Sequence, residues 1–204
     1  KDPYTGGHSR RVAILAVAVA GQLGLDDRFR SLVWAAGYLH DLGKLTVPLS
    51  VLAKNTRLED DEYRTVQRHA RRGADILQTI DGLRHLATGA RYHHERWDGG
   101  GYPEGLSGEN IPMVARILAV CDAYDAMTST RAYRDARDHD DAMEEVALCT
   151  GRHFGPSAGA AFLSLPDHLF RAVRRPPSST GDFFPGDALL QRSTGSWRLR
   201  RPAG

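Results

Sequence analysis

Histidine and aspartate side chains recur in this chain on helix faces that are otherwise apolar. Phe29, Val33 and Ala36 lead at helical spacing to His40, so His40 lies on the stripe that turns inward. Four other stretches of helical period share this feature, and they carry His8, His69, the pair His93-His94, and Asp122 with Asp125. Burying these groups unpaired costs several kcal/mol each, too much for a domain of about 5–15 kcal/mol net stability. The fold must therefore bring them together, and a shared metal cluster would satisfy them.

The adjacent pair His40-Asp41 is the centre of this hypothesis. A lone histidine on an apolar stripe is better explained as a core residue bonded to a backbone carbonyl, and only the repetition favours a ligand. Imidazole and carboxylate suit a divalent metal, and the two oxygens of Asp41 can bridge two ions. Histidine and aspartate without cysteine favour iron or manganese over a structural zinc site.

The helical period predicts an all-α bundle without a convincing strand. Residues 45–58 are predicted as a loop, and the glycine-rich stretch from Glu95 to Asn110 as a second. The latter is either a flexible linker or a ligand-approaching loop, and its aromatics Trp97 and Tyr102 favour the second reading. From residue 166 the period ends, which predicts an irregular tail, a linker or disordered segment, over 166–204. The seven predicted helices cover about 7–24, 27–42, 60–79, 83–94, 113–130, 139–150 and 156–165.

Composition narrows the class of protein. The longest apolar run, residues 12–20, is too short to span a bilayer, and Cys121 and Cys149 are predicted to be buried thiols rather than a disulfide. We therefore expect no membrane span and a cytoplasmic location. Residues 166–204 carry seven arginines and three aspartates, which leaves residues 1–165 with a net charge of −2. A DNA-binding face is not indicated.

Three long motifs resemble the HD-GYP family, a branch of the HD-domain metal-dependent phosphohydrolases. They are HDLGK at 40–44, HHERWDGGGYPEGLSGENIP at 93–112 and ARILAVCDAYDAMTSTRAYR at 115–134. Similarity also extends to DPYTGGHSRRV at 2–12 and HFGPSAGAAFL at 153–163, so the resemblance covers residues 1–165. It implies a single HD-type helical bundle over those residues, which hydrolyses cyclic di-GMP to the linear dinucleotide pGpG, to GMP, or to both.

The resemblance also implies residue roles. The implied metal ligands are His8, His40, Asp41, His69, His93, His94 and Asp122. Lys44 is implied to lie beside the scissile phosphate, and Asp125 either to act on water and protons or to hold a ligand histidine. Arg131 and Arg134 are implied phosphate contacts, with a solvated helix end as the alternative. Gly101-Tyr102-Pro103 is the signature loop, which is implied to border the substrate or to dock a partner protein. Departures at Gly100, Ala132 and Gly155 remove none of these ligands.

Two other functions stay open from the residues alone. One is hydrolysis of another cyclic dinucleotide, such as the mixed GMP–AMP form, because no base-reading residue is identified. The other is a weakly active regulatory module that binds nucleotide or partner proteins through the signature loop. Family members commonly follow a receiver or sensory domain, so we also expect such a domain upstream.

Tyr4 bears on the number of metal ions. In the family this position is sometimes glutamate, which accompanies a third ion, and sometimes tyrosine. A neutral phenol with a pKa near ~10 is a poor ligand at pH 7. We therefore expect two ions, with Tyr4 either bonding near the cluster or only covering the core.

Overall fold

The chain forms a helical bundle, seen here in a computed structural model that describes residues 3–130, 136–174, 191–193 and 196–198, with side chains for 7–130 and 136–174. Three short 3-10 helices, Leu42–Thr46, Arg84–Leu86 and Gly108–Asn110, lie between the α-helices, and two strands, β1 (Gln191–Ser193) and β2 (Ser196–Arg198), pair antiparallel. The α-helices are α1 (Pro3–Gln22), α2 (Asp27–Leu39), α3 (Leu49–Leu52), α4 (Asp60–Gln67), α5 (His69–Thr79), α6 (Ala87–Tyr92), α7 (Met113–Thr128), α8 (His139–Cys149), α9 (Pro156–Leu163) and α10 (Asp167–Val173).

Helix α7 is the centre of the bundle. It packs against α1, α2, α6, α8 and α9, and apolar residues are buried on several of its sides. A helix that is apolar nearly all round is stable only inside a core. Asp122 and Asp125 are therefore carried into the middle of the protein by α7. Cys121 on α7 and Cys149 on α8 are buried free thiols, which confirms the prediction for both.

Local sequence signals fix where several helices begin. Asp26 precedes α2 and its side chain accepts a hydrogen bond from the backbone N–H of Phe29. Asp138 does the same for Asp141 at the start of α8. These caps satisfy amide donors that have no partner within the helix.

The 3-10 helix that follows the His40-Asp41 pair lies directly against the start of α5. A Cβ added at Gly43 would collide with the carbonyl oxygen of His69 and lie 2.5 Å from the backbone nitrogen of Gly73. The absence of a side chain at Gly43 thus permits close backbone approach. This approach brings Asp41 beside His69.

The predicted all-α bundle is confirmed, with local differences. The predicted helix over 60–79 is interrupted at Arg68, so that His69 opens a new helix, and a short helix, α3, lies within the predicted loop 45–58. The β1–β2 pair was not predicted.

The expectation of an irregular tail from residue 166 is wrong for 167–173. Those residues form α10, whose Leu169, Phe170 and Val173 are buried, and the Phe170 ring lies 5.0 Å from that of Tyr124. A seven-residue segment is too short to show helical period, so only its contacts reveal it. The division into a 1–165 domain and a 166–204 tail otherwise stays a prediction.

Candidate metal centre

The carboxylate of Asp41 lies between two groups of histidines. Its Oδ2 is 3.4 Å from His40 Nε2 and 3.7 Å from His8 Nε2. Its Oδ1 faces the other way, 3.3 Å from His69 Nε2 and 4.0 Å from His93 Nε2. One carboxylate thus presents a separate oxygen to each group, which is the arrangement needed to bridge two cations.

Asp122 and His94 complete the two groups. Asp122 Oδ1 lies 3.3 Å from His8 Nε2 and 3.9 Å from His40 Nε2, on the Oδ2 side of Asp41. The His94 ring lies 5.0 Å from that of His69 and 4.0 Å from that of His93, on the Oδ1 side. Ligand atoms of Asp41, His69, His93 and His94 all fall within 4.8 Å of one another, and so do those of His8, His40 and Asp41.

Two buried atoms at the centre make no hydrogen bond with any residue that the structure describes. They are His40 Nε2 and Asp41 Oδ1. A buried polar atom without a partner costs about 1–3 kcal/mol or more, so such atoms call for an explanation. Divalent cations coordinated by these atoms would remove that cost. The residues therefore fit a metal centre by chemistry and by position.

Three of the histidines are oriented by the same kind of hydrogen bond to the backbone. The Nδ1 atoms of His40, His69 and His93 lie 2.7, 2.6 and 2.8 Å from the carbonyl oxygens of the residues three positions earlier, which are Gly37, Val66 and Ala90. A carbonyl only accepts, so each Nδ1 donates, and in the neutral ring Nε2 keeps a lone pair directed at the centre. His40 and His93 follow the last residues of α2 and α6, where carbonyls have no partner within the helix.

The pKa values of His93, His94 and Asp41 suit metal binding. Burial, with neighbouring histidines, lowers the pKa of His93 well below its usual value, and burial lowers that of His94 to about 3. Both rings are therefore neutral at pH 7 and able to act as ligands. Burial alone would raise the pKa of Asp41, but His40, His69 and Lys44 hold it well below its ordinary value. The carboxylate is therefore ionised.

Asp125 turns away from the centre and holds His8. Its Oδ2 accepts a hydrogen bond from His8 Nδ1 at 2.7 Å, and Arg11 donates to both of its oxygens. Of the two roles considered for Asp125, this geometry favours holding a ligand histidine over acting on water. Although burial would lower it, the pKa of His8 is raised to about 9 by Asp122 and Asp125.

Lys44 lies at the edge of the centre. Its Nζ is 2.6 Å from Asp41 Oδ2, and its side chain is half exposed. The ammonium group thus lies between the buried cluster and solvent. Its predicted position beside a scissile phosphate stays a prediction.

The signature loop packs directly on His94. The ring of Tyr102 stacks on the His94 ring with centroids 4.7 Å apart, and its backbone N–H donates to the His94 carbonyl at 3.2 Å. The peptide bond between Tyr102 and Pro103 is cis. A Cβ added at Gly101 would collide with the backbone of residues 94–96. The Gly-Tyr part of the motif thus fits the loop against a histidine of the cluster.

Glu95, which the sequence analysis did not select, anchors the same loop. It is buried, and its two carboxylate oxygens accept hydrogen bonds from the backbone N–H groups of Glu104 at 2.7 Å and Leu106 at 2.9 Å. Glu104 in turn pairs with Arg71 on α5 and Arg91 on α6. A carboxylate directly after the His93-His94 pair was the signal that the sequence offered for this role.

We expect Gly101→Ala to loosen this loop. The added methyl group meets backbone atoms, which cannot move aside as a side chain can, so the free energy of unfolding should fall by about 1–3 kcal/mol. Urea unfolding of the metal-loaded protein measures it. Gly100→Ala is the matched control, because the three atoms nearest its Cβ belong to the side chains of Asp98 and Arg96, 3.2 Å or more away, and it should cost less than about 0.5 kcal/mol. Equal losses in the two variants would contradict the packing argument.

Arg131 and Arg134 lie outside the described residues, and the side chain of Tyr4 lies outside the described side chains. All seven predicted metal ligands do converge.

In the part of the chain that the structure describes, every helix is too short or too polar to span a membrane.

Sequence comparisons with known proteins point to one family of domains. The family profile described as "HD domain" matches residues 1–158. The cyclic di-GMP phosphodiesterase response regulator RpfG of Xanthomonas campestris pv. campestris is 40% identical over 166 residues, covering 80% of this chain and 44% of the relative. The 3'3'-cGAMP-specific phosphodiesterase 3 of Vibrio cholerae is 41% identical over 143 residues, covering 70% of this chain and 31% of the relative. The chain thus spans less than half the length of these curated relatives.

Solved structures agree in fold. Bd1817, an HD-GYP-type protein from Bdellovibrio bacteriovorus, has a TM-score of 0.63 at 20% identity, covering 81% of this chain and 52% of that one. The cyclic GMP-AMP-specific phosphodiesterase V-cGAP3 of V. cholerae has a TM-score of 0.59 at 19% identity, covering 83% and 49%. At this identity the likeness shows the fold alone. With the profile match and the close relatives, it establishes that the chain belongs to the HD domain family, in its HD-GYP branch.

Proposed function

We propose that this chain is a metal-dependent phosphodiesterase domain that hydrolyses cyclic di-GMP to pGpG, GMP or both. The observation that carries the proposal is the placement of Asp41, whose two oxygens face separate histidine groups. A carboxylate in this position would bridge two cations if each histidine group bound one. The similarity to RpfG, named a cyclic di-GMP phosphodiesterase, supports the substrate class.

The proposed centre holds two divalent ions, iron or manganese. His8, His40 and Asp122 would bind one ion, His69, His93 and His94 the other, and Asp41 both. Such ions supply a nucleophile from water at neutral pH and offset the charge on phosphoryl oxygens. The half-exposed ammonium of Lys44 would donate to a phosphoryl oxygen as charge develops there.

For Asp125 and Tyr102 we propose roles that are limited to contacts with ligand histidines. Asp125 orients His8, and the packing of Tyr102 on His94 supports a role in holding that ligand. Contact of Gly101, Tyr102 or Pro103 with the substrate stays a prediction, as does phosphate binding by Arg131 and Arg134.

A mixed cyclic GMP–AMP substrate is the second candidate, favoured by the 41% identity to a V. cholerae enzyme named for that nucleotide. A panel of cyclic di-GMP, 3'3'-cGAMP and cyclic di-AMP, each assayed with Fe(II) and with Mn(II), separates the candidates. We expect linear product to appear fastest from cyclic di-GMP. Faster release of linear product from 3'3'-cGAMP would make that nucleotide the proposed substrate. No product from any of the three nucleotides, despite bound metal, would favour a regulatory binding module.

We expect Lys44→Ala to keep both ions and to slow turnover roughly 10²–10³-fold, since the lysine stabilises charge on the substrate rather than binding metal. Metal analysis and kcat measured on the same preparation test both parts. Loss of metal comparable with that of His40→Ala would show that Lys44 supports Asp41 rather than the substrate.

We expect two ions per chain in anaerobically prepared protein, because Tyr4 brings no charge to offset a third. Elemental analysis against protein concentration measures the ratio. A ratio near three would contradict the argument. The variant Tyr4→Glu should raise the ratio toward three if this one side chain sets the number.

An upstream receiver or sensory domain and a protein partner at the signature loop complete the proposal. Both rest on the resemblance to the family. Glu104 of the loop is exposed and pairs with the exposed Arg71 of α5, so charged groups lie at the surface where such a contact would form. A translation start directly before Lys1 would contradict the upstream domain.

A further inference from the structure

His8 differs from His40, His69 and His93 in how it is oriented. His40, His69 and His93 donate through Nδ1 to carbonyls of their own chain segment. His8 lies inside α1, and its Nδ1 bonds instead to the side chain of Asp125 on α7. The direction of His8 Nε2 therefore depends on a side chain from another helix, which has torsional freedom that a helical carbonyl lacks.

Arg11 removes that freedom. It lies three residues after His8 on α1, so both side chains leave the helix on the same face. Its Nε donates to Asp125 Oδ1 at 2.6 Å and its Nη2 to Oδ2 at 2.9 Å. The guanidinium thus grips both carboxylate oxygens in a planar fork that a single hydrogen bond cannot imitate.

A further hydrogen bond holds the Arg11 guanidinium in place. Arg11 Nη2 also donates to Ser129 Oγ at 3.1 Å, just beyond the end of α7. The Arg11 side chain is 22% exposed and that of Asp125 only 4%, so the pair is largely removed from water. Removing the arginine would take away the cation that pairs with both oxygens of this buried carboxylate.

We propose that Arg11 is a positioning residue for the divalent cation bound by His8. It locks the Asp125 carboxylate, which fixes the His8 ring with Nε2 directed at Asp41 and Asp122, 3.7 and 3.3 Å away. The inference rests on the proposed metal centre and names a residue outside its ligand set. Groups that hold a metal-binding histidine from behind typically change metal affinity about 10–100-fold when they are lost.

Metal binding by the whole chain, measured without substrate, tests the inference. Mn(II) affinity is determined by titration against a chelator, and the Co(II)-loaded protein is compared by visible absorption, which reports ligand geometry. Arg11→Met should bind one of its two ions about 10–100-fold more weakly and change the Co(II) spectrum. Arg10→Met is the matched control on the same helix, because within the described residues Arg10 hydrogen-bonds to the Val173 carbonyl at 3.5 Å and not to the cluster, and it should leave both readouts unchanged.

Two further variants separate positioning from general destabilisation. Arg11→Lys keeps the charge but not the two-pronged hydrogen bonding, so it should lose less metal affinity than Arg11→Met. If Arg11→Met does not fold, Arg11→Lys is the variant that tests the positioning role. Adding Arg11→Met to Asp125→Asn should cause less than about a twofold further loss, because residues that act as one unit are not additive. Native affinity and spectrum in Arg11→Lys, or fully additive losses, would overturn the inference. If the Arg11 variants change metal binding as expected but the protein hydrolyses no cyclic dinucleotide, the result would count against the proposed function alone.

Discussion

Asp41→Asn is expected to lose both metal ions under dialysis and to reduce cyclic-dinucleotide hydrolysis to background. Asparagine offers one neutral oxygen where Asp41 directs two anionic ones at separate histidine groups. Its amide nitrogen, a donor only, would face histidine Nε2 atoms or a cation. Both ions are affected at once because Asp41 is the only side chain shared by the two proposed ligand sets.

Elemental analysis and an assay of linear product measure the two effects in Asp41→Asn. Asp61→Asn is the control, since it makes the same chemical change at a side chain on α4 that is 95% exposed. It should keep its metal and its activity. Two retained ions in Asp41→Asn would show that Asp41 does not bridge, and one retained ion would show that it serves a single cation.

Gly43→Ala is expected to lower the free energy of unfolding by about 3 kcal/mol or more, at the upper end of overpacking costs. The added methyl group would collide with the His69 carbonyl, and the backbone nitrogen of Gly73 lies 2.5 Å from its position. Relief requires the 3-10 helix and α5 to separate, which carries Asp41 away from His69. The same substitution should therefore weaken metal binding on the His69 side.

Urea unfolding with and without metal separates the two consequences of Gly43→Ala. A larger loss in the metal-loaded protein is expected, because the displaced centre contributes less binding energy to the folded state. Leu45→Ala serves as the control in the same 3-10 helix, where the leucine is 81% exposed and should cost less than about 0.5 kcal/mol. An unchanged midpoint in Gly43→Ala would show that this approach of backbones is looser than described.

The position of ionisable groups on apolar stripes indicated most of the ligand set, and the resemblance to the family completed it. His8, His40, His69 and Asp122 each stand on a face that had to turn inward, and the structure brings them together. The prediction was possible because burial of a charged or polar group has a cost that only a partner can remove. That argument needs helix period and residue type alone, both of which are local.

Local pattern was less informative about how each helix ends. The interruption at Arg68 and the helix α10 were not predicted, and both lie where the chain contacts a distant segment. Gly43 against His69, and Phe170 against Tyr124, are examples of such contacts. Helical propensity over short stretches is too weak to report them.

By itself the sequence determined the all-α class, the faces that carry the ligands and the motifs of the HD-GYP branch. The tertiary structure alone decided which oxygen of Asp41 faces which histidine, that Asp125 holds His8 through an arrangement shared with Arg11, and that Glu95 anchors the signature loop. The reason is physical. Side-chain period follows from the geometry of one helix, whereas a hydrogen bond between helices depends on their separation to within a few tenths of an ångström, which only the packing of the whole bundle sets.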